Sequence, residues 1–165
     1  MENIFKRIKG ITNVVSGYAD GNTAEPTYEQ VCAGDTLHVE VVEITFDNTQ
    51  IKLEDIFTVF FAIHDPTTLN RQGDDVGTQY RSTILYHNDN QKALAINTLQ
   101  TLNNANTFEN PTVTTVKAVN NFYSAESYHQ DYVVNNPENR YCQLVVAKKI
   151  QKFLAEFSHL LKETH

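Results

Sequence analysis

The chain has 165 residues and a mass of 18.8 kDa, with 41% apolar and 20% charged residues. That is enough for one domain with a buried core and too little for two ordinary enzyme domains. Only 6 Gly and 4 Pro exclude collagen-like, low-complexity and wholly disordered chains. Lys and Arg number 13 against 20 Asp and Glu, a net charge of −7 that argues against nucleic-acid binding. No apolar run reaches the roughly 18–20 residues of a membrane helix, and no signal-peptide pattern opens the chain, so a soluble cytoplasmic protein without a membrane partner is expected. The 2 Cys lie far apart and no Asn-x-Ser/Thr sequon occurs, which is not the pattern of a secreted disulfide scaffold.

In chain order, residues 2–9 carry Ile4, Phe5 and Ile8 at helical spacing and stop at Gly10, a C′ glycine. No N-cap residue precedes them, which predicts that the first turn of this helix, and whatever comes before it, lies ahead of Met1. Residues 11–16 read as a strand and residues 17–29 as a Gly/Pro/Asn loop. Along the strand at residues 38–46, Val42, Ile44 and Phe46 share a face with Glu40. A carboxyl held among them is poorly solvated, has a raised pKa and can act as a general acid. Strand twist that leaves Glu40 exposed is the other reading of the same pattern.

Leu53, Ile56, Phe57, Phe60 and His64 follow helical spacing up to Asp65-Pro66. The polar residues 67–79 form a loop of a length that usually has a task. Within residues 70–82, Arg71, Gln72, Asp74, Asp75, Gln79, Tyr80 and Arg81 surround Gly73 and Gly77, which fits either a binding loop or a solvated turn. Residues 81–86 are a strand, 89–106 a helix, 113–119 a strand, and 122–132 an aromatic and polar segment. Residues 146–161 carry an apolar stripe from Ile150 to Leu161 backed by lysines, a C-terminal helix. No repeat or linker is evident, so a single mixed α/β domain over residues 1–165 is expected.

His38, His64 and His129 invite a metal reading, but no pair has chelate spacing and no metal or other cofactor is expected. Cys142, in a segment that reads as mobile, is the better reactive thiol, and Cys32 reads as structural.

Several motifs combine into a pattern: Gly17-Tyr18, Pro26-Thr27-Tyr28-Glu29, His38-Val39-Glu40, His64-Asp65-Pro66-Thr67, Asn70-Arg71-Gln72-Gly73, Gly77-Thr78-Gln79-Tyr80-Arg81-Ser82, and Ala125-Glu126 with Tyr128-His129-Gln130. Together, and in this order over nearly the whole chain, they resemble the A-type peptide methionine sulfoxide reductases. The resemblance implies an α/β (α+β roll) fold with a mixed sheet, packed helices and a ferredoxin-like core. It implies reduction of the S epimer of methionine sulfoxide, free or in proteins, as repair after oxidative stress. A cysteine thiolate attacks the sulfoxide sulfur, and thioredoxin or another thiol reductant restores the thiol. By motif, Glu40 would protonate the sulfoxide oxygen, Tyr28 and Tyr80 would donate hydrogen bonds to it, and Asp75 would hold substrate and water. His129, Tyr132 and Tyr141 would line or support the pocket, and Cys142 matches the place of a recycling cysteine, although the Gly-rich tail with a further cysteine is lacking. A monomer is expected.

The family's nucleophile stands in a Gly-Cys-Phe-Trp motif at the start of the first helix, and aligning Phe5 and Gly10 places that cysteine four residues before Met1. The 165-residue chain is thus expected to be truncated, lacking the first strand and the start of the first helix, and inactive as it stands. The alternative is a catalytically dead module that binds oxidised methionine. Asp20 and Leu37 also depart from the family, each standing where glycine is usual.

Overall fold

The computed structural model describes residues 1–163, so the last two residues of the domain expected over 1–165 lie outside it. Its elements run α1 (Glu2–Phe5), β1 (Ile11–Ala19), α2 (Tyr28–Ala33), β2 (Val39–Phe46), α3 (Leu53–Ile63), β3 (Arg71–Gln72), β4 (Asp75–Val76), β5 (Thr83–Tyr86), α4 (Asp89–Asn104), β6 (Thr115–Ala118), β7 (Phe122–Ser124), α5 (Tyr132–Asn135) and α6 (Ala147–Phe157). The strands form a three-stranded sheet in the order β2-β1-β7 and two two-stranded sheets, β3-β4 and β5-β6. This is the α/β class expected. No helix among the described residues is long and apolar enough to cross a membrane.

The chain divides into two compact units. One comprises residues 1–17, 42–63 and 124–165; the other, residues 18–41 and 64–123. The first is built on the apolar stripes read from the sequence. Ile4, Phe5 and Ile8 of the N-terminal segment, Ile11 and Val14 of β1, Ile56, Val59 and Ile63 of α3, and Phe153 of α6 form one buried cluster, with Val42, Ile44 and Phe46 packed against it. Burial of this kind contributes on the order of 1.5–3 kcal/mol per large apolar side chain. The helix expected to run to Gly10 ends instead at Phe5 with Lys6 as its C-cap, and Gly10, at φ +90° and with a Cβ position only 2.8 Å from Ile51, is a glycine position in the turn before β1. After α6, Arg7 and Lys9 pair with Lys162 and Leu160 through backbone bonds of 2.9 and 2.8 Å, which fixes the end of the chain's last helix.

In the second unit, β5 and β6 pair in parallel from Thr83↔Thr115 to Tyr86↔Ala118, with α4 as the crossover between them. Asn88 caps α4 by accepting from the Gln91 backbone N–H at 2.9 Å. The segment expected to be loop up to residue 29 instead ends in helix α2. Thr27 and Gln30 make a reciprocal capping box, and Gly34 at φ +80° closes the helix. Residues 67–79, expected to be irregular, contain the β3-β4 hairpin.

His38, almost wholly buried, binds the chain on both ring nitrogens: Gly21 N–H donates to Nδ1 at 3.0 Å, and Nε2 lies 2.7 Å from the Thr23 carbonyl. The ring is therefore neutral with its proton on Nε2, because Nδ1 must accept. A Cβ on Gly21 would sit 2.3 Å from the ring, which makes this turn a glycine position.

Asp20 and Leu37, the two departures at usual glycine positions, both adopt the left-handed conformation, at φ 64° and 59°. Arg81 joins them: its Nη2 donates to Asp20 Oδ2 at 3.1 Å and to the Leu37 carbonyl at 3.0 Å. Lys117 adds a second cation on Asp20, at 2.8 Å. Burial opposes ionisation of Asp20, but hydrogen bonds from Lys117 and Arg81 outweigh it and hold the carboxyl below its usual range. Asp20 is thus compensated for its backbone, whereas Leu37 is 52% exposed and gains no side-chain burial in return. Leu37→Gly should raise stability by about 0.5–1 kcal/mol, seen as a higher denaturant midpoint, and Asp20→Gly should lower it. A drop in midpoint for Leu37→Gly would show that the left-handed leucine carries no strain.

Candidate functional site

The chemistry-bearing residues of the second unit converge from three short elements. The first is α2, whose capping box sets Tyr28 as the first helical residue and Cys32 one turn later on the same face. The two side chains are hydrogen-bonded, hydroxyl to thiol. β2 brings the second component, Glu40, two residues after the anchored His38. The third is the loop between α3 and β5. Its hairpin pairs Gln72 with Asp75, and Asn70 accepts from the Gly77 N–H at 2.9 Å. The Gln72 carboxamide ties the hairpin back to the end of α3, accepting from Asp65 N–H and donating to the Asp65 carbonyl, both at 3.0 Å. A 3-10 turn, Thr78–Tyr80, then places Tyr80. Arg81 Nη1 holds the Thr78 carbonyl of that turn at 2.8 Å.

Glu40 is open to solvent, unlike the apolar setting drawn from its strand pattern. Val42, Ile44 and Phe46 face the core of the first unit, whereas Glu40 precedes the point where the strand joins that unit. The direction of its pKa is nonetheless the one expected, for a different reason. Crowding by surrounding protein, and secondly the negative charge of Asp75, push the carboxyl from 4.5 up to about 7. At neutral pH a substantial share of Glu40 molecules carry the proton and can donate it. The Tyr28 phenol is held well above the ordinary tyrosine range, first by its hydrogen bond with Cys32, then by burial, and then by the charges of Cys32, Glu40 and Tyr80. Tyr28 therefore remains a proton-bearing donor at any physiological pH. Tyr28, Glu40, Asp75 and Tyr80 form one electrostatic cluster, and Cys32, read as structural from the sequence, belongs to it.

The other four residues singled out lie in the first unit. His129 sits 3.6 Å from Glu126 and packs against Tyr128 and Tyr132, at ring centroid distances of 4.3 and 6.4 Å. Tyr132 opens α5, and its hydroxyl accepts from Asn139 Nδ2 at 3.1 Å. Gln130, between His129 and Asp131, grips β1 as a strand partner would: Ser16 N–H donates to its Oε1 at 3.0 Å, and its Nε2 donates to the Ser16 carbonyl at 2.8 Å. Tyr141 is half exposed. Cys142 is buried at the start of a π-helical turn, Cys142–Val146, its N–H donating to Asn139 Oδ1 at 3.2 Å. The segment expected to be mobile thus ends in a buried cysteine whose backbone is hydrogen-bonded. Neither Cys32 nor Cys142 is in a disulfide. Among the described residues, no three His, Cys, Asp or Glu side chains are grouped to hold a metal ion.

The family model described as peptide methionine sulfoxide reductase matches residues 1–161. The chain belongs to the peptide methionine sulfoxide reductase family. The relatives of this reductase family place it in the A type. It is 49% identical over 163 residues to the peptide methionine sulfoxide reductase MsrA of Acinetobacter baumannii strain SDF, covering 99% of this chain and 92% of that one. It is 51% identical over 162 residues to the MsrA of Nitratiruptor, covering 98% and 92%. Among solved structures, the reduced form of Mxr1 from Saccharomyces cerevisiae superposes with a TM-score of 0.73 at 37% identity, over 83% of this chain and 76% of that one. Methionine sulfoxide reductase A of Corynebacterium diphtheriae does so with 0.73 at 32%, over 84% and 70%.

A carboxyl whose folded pKa stands above its ordinary value stabilises the fold fully below pH 4.5 and loses that contribution as pH rises through about 7. In this reductase, Glu40→Gln should flatten the fall of melting temperature between about pH 5 and 8 and melt above the parent at the upper end, by a modest margin because the side chain meets solvent. An unchanged slope would show that Glu40 titrates as an ordinary carboxyl. Thiol labelling of the native protein should modify half-buried Cys32 first and Cys142 only as the π-helical turn opens. Labelling in the reverse order would contradict the burial of Cys142.

Proposed function

We propose that the Tyr28, Glu40, Asp75 and Tyr80 cluster is the oxygen-binding and acid half of a peptide-methionine (S)-S-oxide reductase. The observation that carries this reading is the Glu40 carboxyl, raised to about 7 beside Asp75 and two phenols. A sulfoxide oxygen leaves sulfur only when protonated, and it is a strong hydrogen-bond acceptor. Two tyrosine hydroxyls and one protonated carboxyl supply three donors to one such oxygen. Burial of the Glu40 carboxyl, and secondly the charge of Asp75, favour a proton on Glu40 that the oxygen can take.

A thiol attacks the sulfoxide sulfur, and the sulfoxide oxygen takes one proton from Glu40 and one from the thiol and departs as water, the Glu40 proton being returned by the hydrolysis that follows. Hydrolysis of the resulting sulfur–sulfur bond releases methionine and leaves a sulfenic acid, so sulfur in the substrate gains the two electrons that the thiol loses. A second thiol converts the sulfenic acid to a disulfide with loss of water, and a dithiol such as thioredoxin reduces that disulfide. Cys142 is the candidate second thiol in this sequence, and its buried place requires the π-helical turn to open before it reacts. This reading is supported by family membership over residues 1–161. The substrate is oxidised methionine, free or in proteins, and the protein acts as a monomer in the cytoplasm.

The test compares two polypeptides with dithiothreitol and the separated epimers of N-acetylmethionine sulfoxide: the 165-residue chain, and the same chain extended so that the family's Gly-Cys-Phe-Trp puts a thiol four residues before Met1. The extended chain should reduce the S epimer only. Its Glu40→Gln variant should lose about a hundredfold or more in kcat, the usual size of a general-acid contribution. The 165-residue chain should bind the S epimer without turning it over. Failure of the extended chain to reduce either epimer would favour the binding module instead.

A further inference from the structure

The residues on either side of Tyr80 send their side chains to the elements that carry the other site residues. Gln79, itself buried, donates from Nε2 to the Cys32 carbonyl at 3.3 Å. That carbonyl lies in the last turn of α2, the helix whose first residue is Tyr28. Carbonyls there have no partner within the helix, so the carboxamide satisfies a group that would otherwise need water. Arg81 donates from Nη1 to the Thr78 carbonyl at 2.8 Å, and from Nη2 to the Leu37 carbonyl at 3.0 Å and to Asp20 Oδ2 at 3.1 Å. Leu37 leads into β2, which carries Glu40 three residues later. Buried Ser82 comes next, with its Oγ 2.9 Å from His64 Nε2 and 2.7 Å from Thr114 Oγ1, and it fixes the exit of the turn. The Tyr80 turn is thus tied to the helix of Tyr28 on one side and to the strand of Glu40 on the other.

We infer that Gln79 and Arg81 are positioning residues, which set the spacing of Tyr80 from Tyr28 and from Glu40 so that all three can donate to one oxygen. Three donors converge on a single atom only when each is held within a fraction of an ångström, and a misplaced donor forfeits its bond. Gln79 fixes the spacing between the two phenols, and Arg81 the spacing between Tyr80 and the acid. The planar guanidinium matters here more than its charge, because its fork directs two nitrogens at two carbonyls and a carboxylate at once. A lysine ammonium is a point charge on a flexible stem and can keep the Asp20 ion pair while losing the directed carbonyl bonds. Neither residue touches substrate in this role. The inference rests on Tyr80 as a donor to the sulfoxide oxygen.

The experiment measures two quantities on the 165-residue chain and on its Arg81→Lys and Gln79→Met variants, each alone and combined with Tyr80→Phe. The first is the dissociation constant for the S epimer of N-acetylmethionine sulfoxide. The second is the nitrogen-15 relaxation order parameter of the Tyr80 amide, with the Gln91 amide of α4 as the reference for an intact fold. Each single variant should weaken sulfoxide binding about three- to tenfold, the effect of one hydrogen bond, and that loss should vanish in the Tyr80→Phe background. The Tyr80 order parameter should fall from about 0.85 toward about 0.6, with Gln91 unmoved. A binding loss that persists in the Tyr80→Phe background, or full binding by both single variants, would overturn the assignment. So would a rigid Tyr80 amide in both. If the parent chain binds no sulfoxide, the proposed function fails, and the order parameter alone decides whether Gln79 and Arg81 hold the turn.

Discussion

Glu40 and Asp75 bring two negative charges to one small region, and the energy of that encounter falls when one of them keeps a proton. Loss of hydration around the Glu40 carboxyl, and secondly the charge of Asp75, favour a proton on Glu40, and the surrounding elements make sense as devices that hold the two carboxyls in place. The β3-β4 hairpin fixes Asp75 through its pairing with Gln72, whose carboxamide is tied to Asp65. His38, locked by Gly21 and Thr23, sets the start of β2 two residues before Glu40. Neither anchor is apolar, and both are networks in which each buried polar atom has a partner, which is how a polar site acquires rigidity without a core beneath it.

The second unit is accordingly held in a different manner from the first. Ile4, Phe5, Ile8, Val59 and Phe153 stabilise the first unit by removing apolar surface from water. In the second, Arg81 binds Asp20, Leu37 and Thr78 at once, so that one guanidinium sets the backbone on either side of the acid and beside Tyr80. Asp20 in a left-handed turn costs backbone energy and returns two ion pairs, which offset that cost locally.

The elements with strong periodicity were legible in the sequence. The stripes of α3 and α6 and the crossover helix between β5 and β6 stand close to where spacing placed them, because burying an apolar face leaves few alternatives, and Ile4, Phe5 and Ile8 are buried together although the helix that carries them stops at Phe5. The short polar elements were not. Helix α2 was hidden among loop-forming residues, although Thr27 and Gln30 have the spacing of a capping box; reading that signal would have put Tyr28 and Cys32 on one face. The hairpin around Gly73 has two-residue strands, too short for alternation to show. Strand alternation gave Glu40 the right direction of pKa from the wrong neighbours, since the strand changes surroundings between Glu40 and Val42. Asp75 and Tyr80 were marked as members of a candidate binding loop and Tyr28 by resemblance alone, because their meeting is a long-range event that no local pattern encodes.

Glu40 holds a proton near neutral pH because of its surroundings, and carbon-13 NMR of the glutamate side-chain carboxyls, with Glu40 assigned by Glu40→Gln, measures this directly. Its titration midpoint should lie near 7 and move down in Asp75→Asn as the repelling charge is removed. A midpoint near 4.5 in the parent, unmoved by Asp75→Asn, would contradict it.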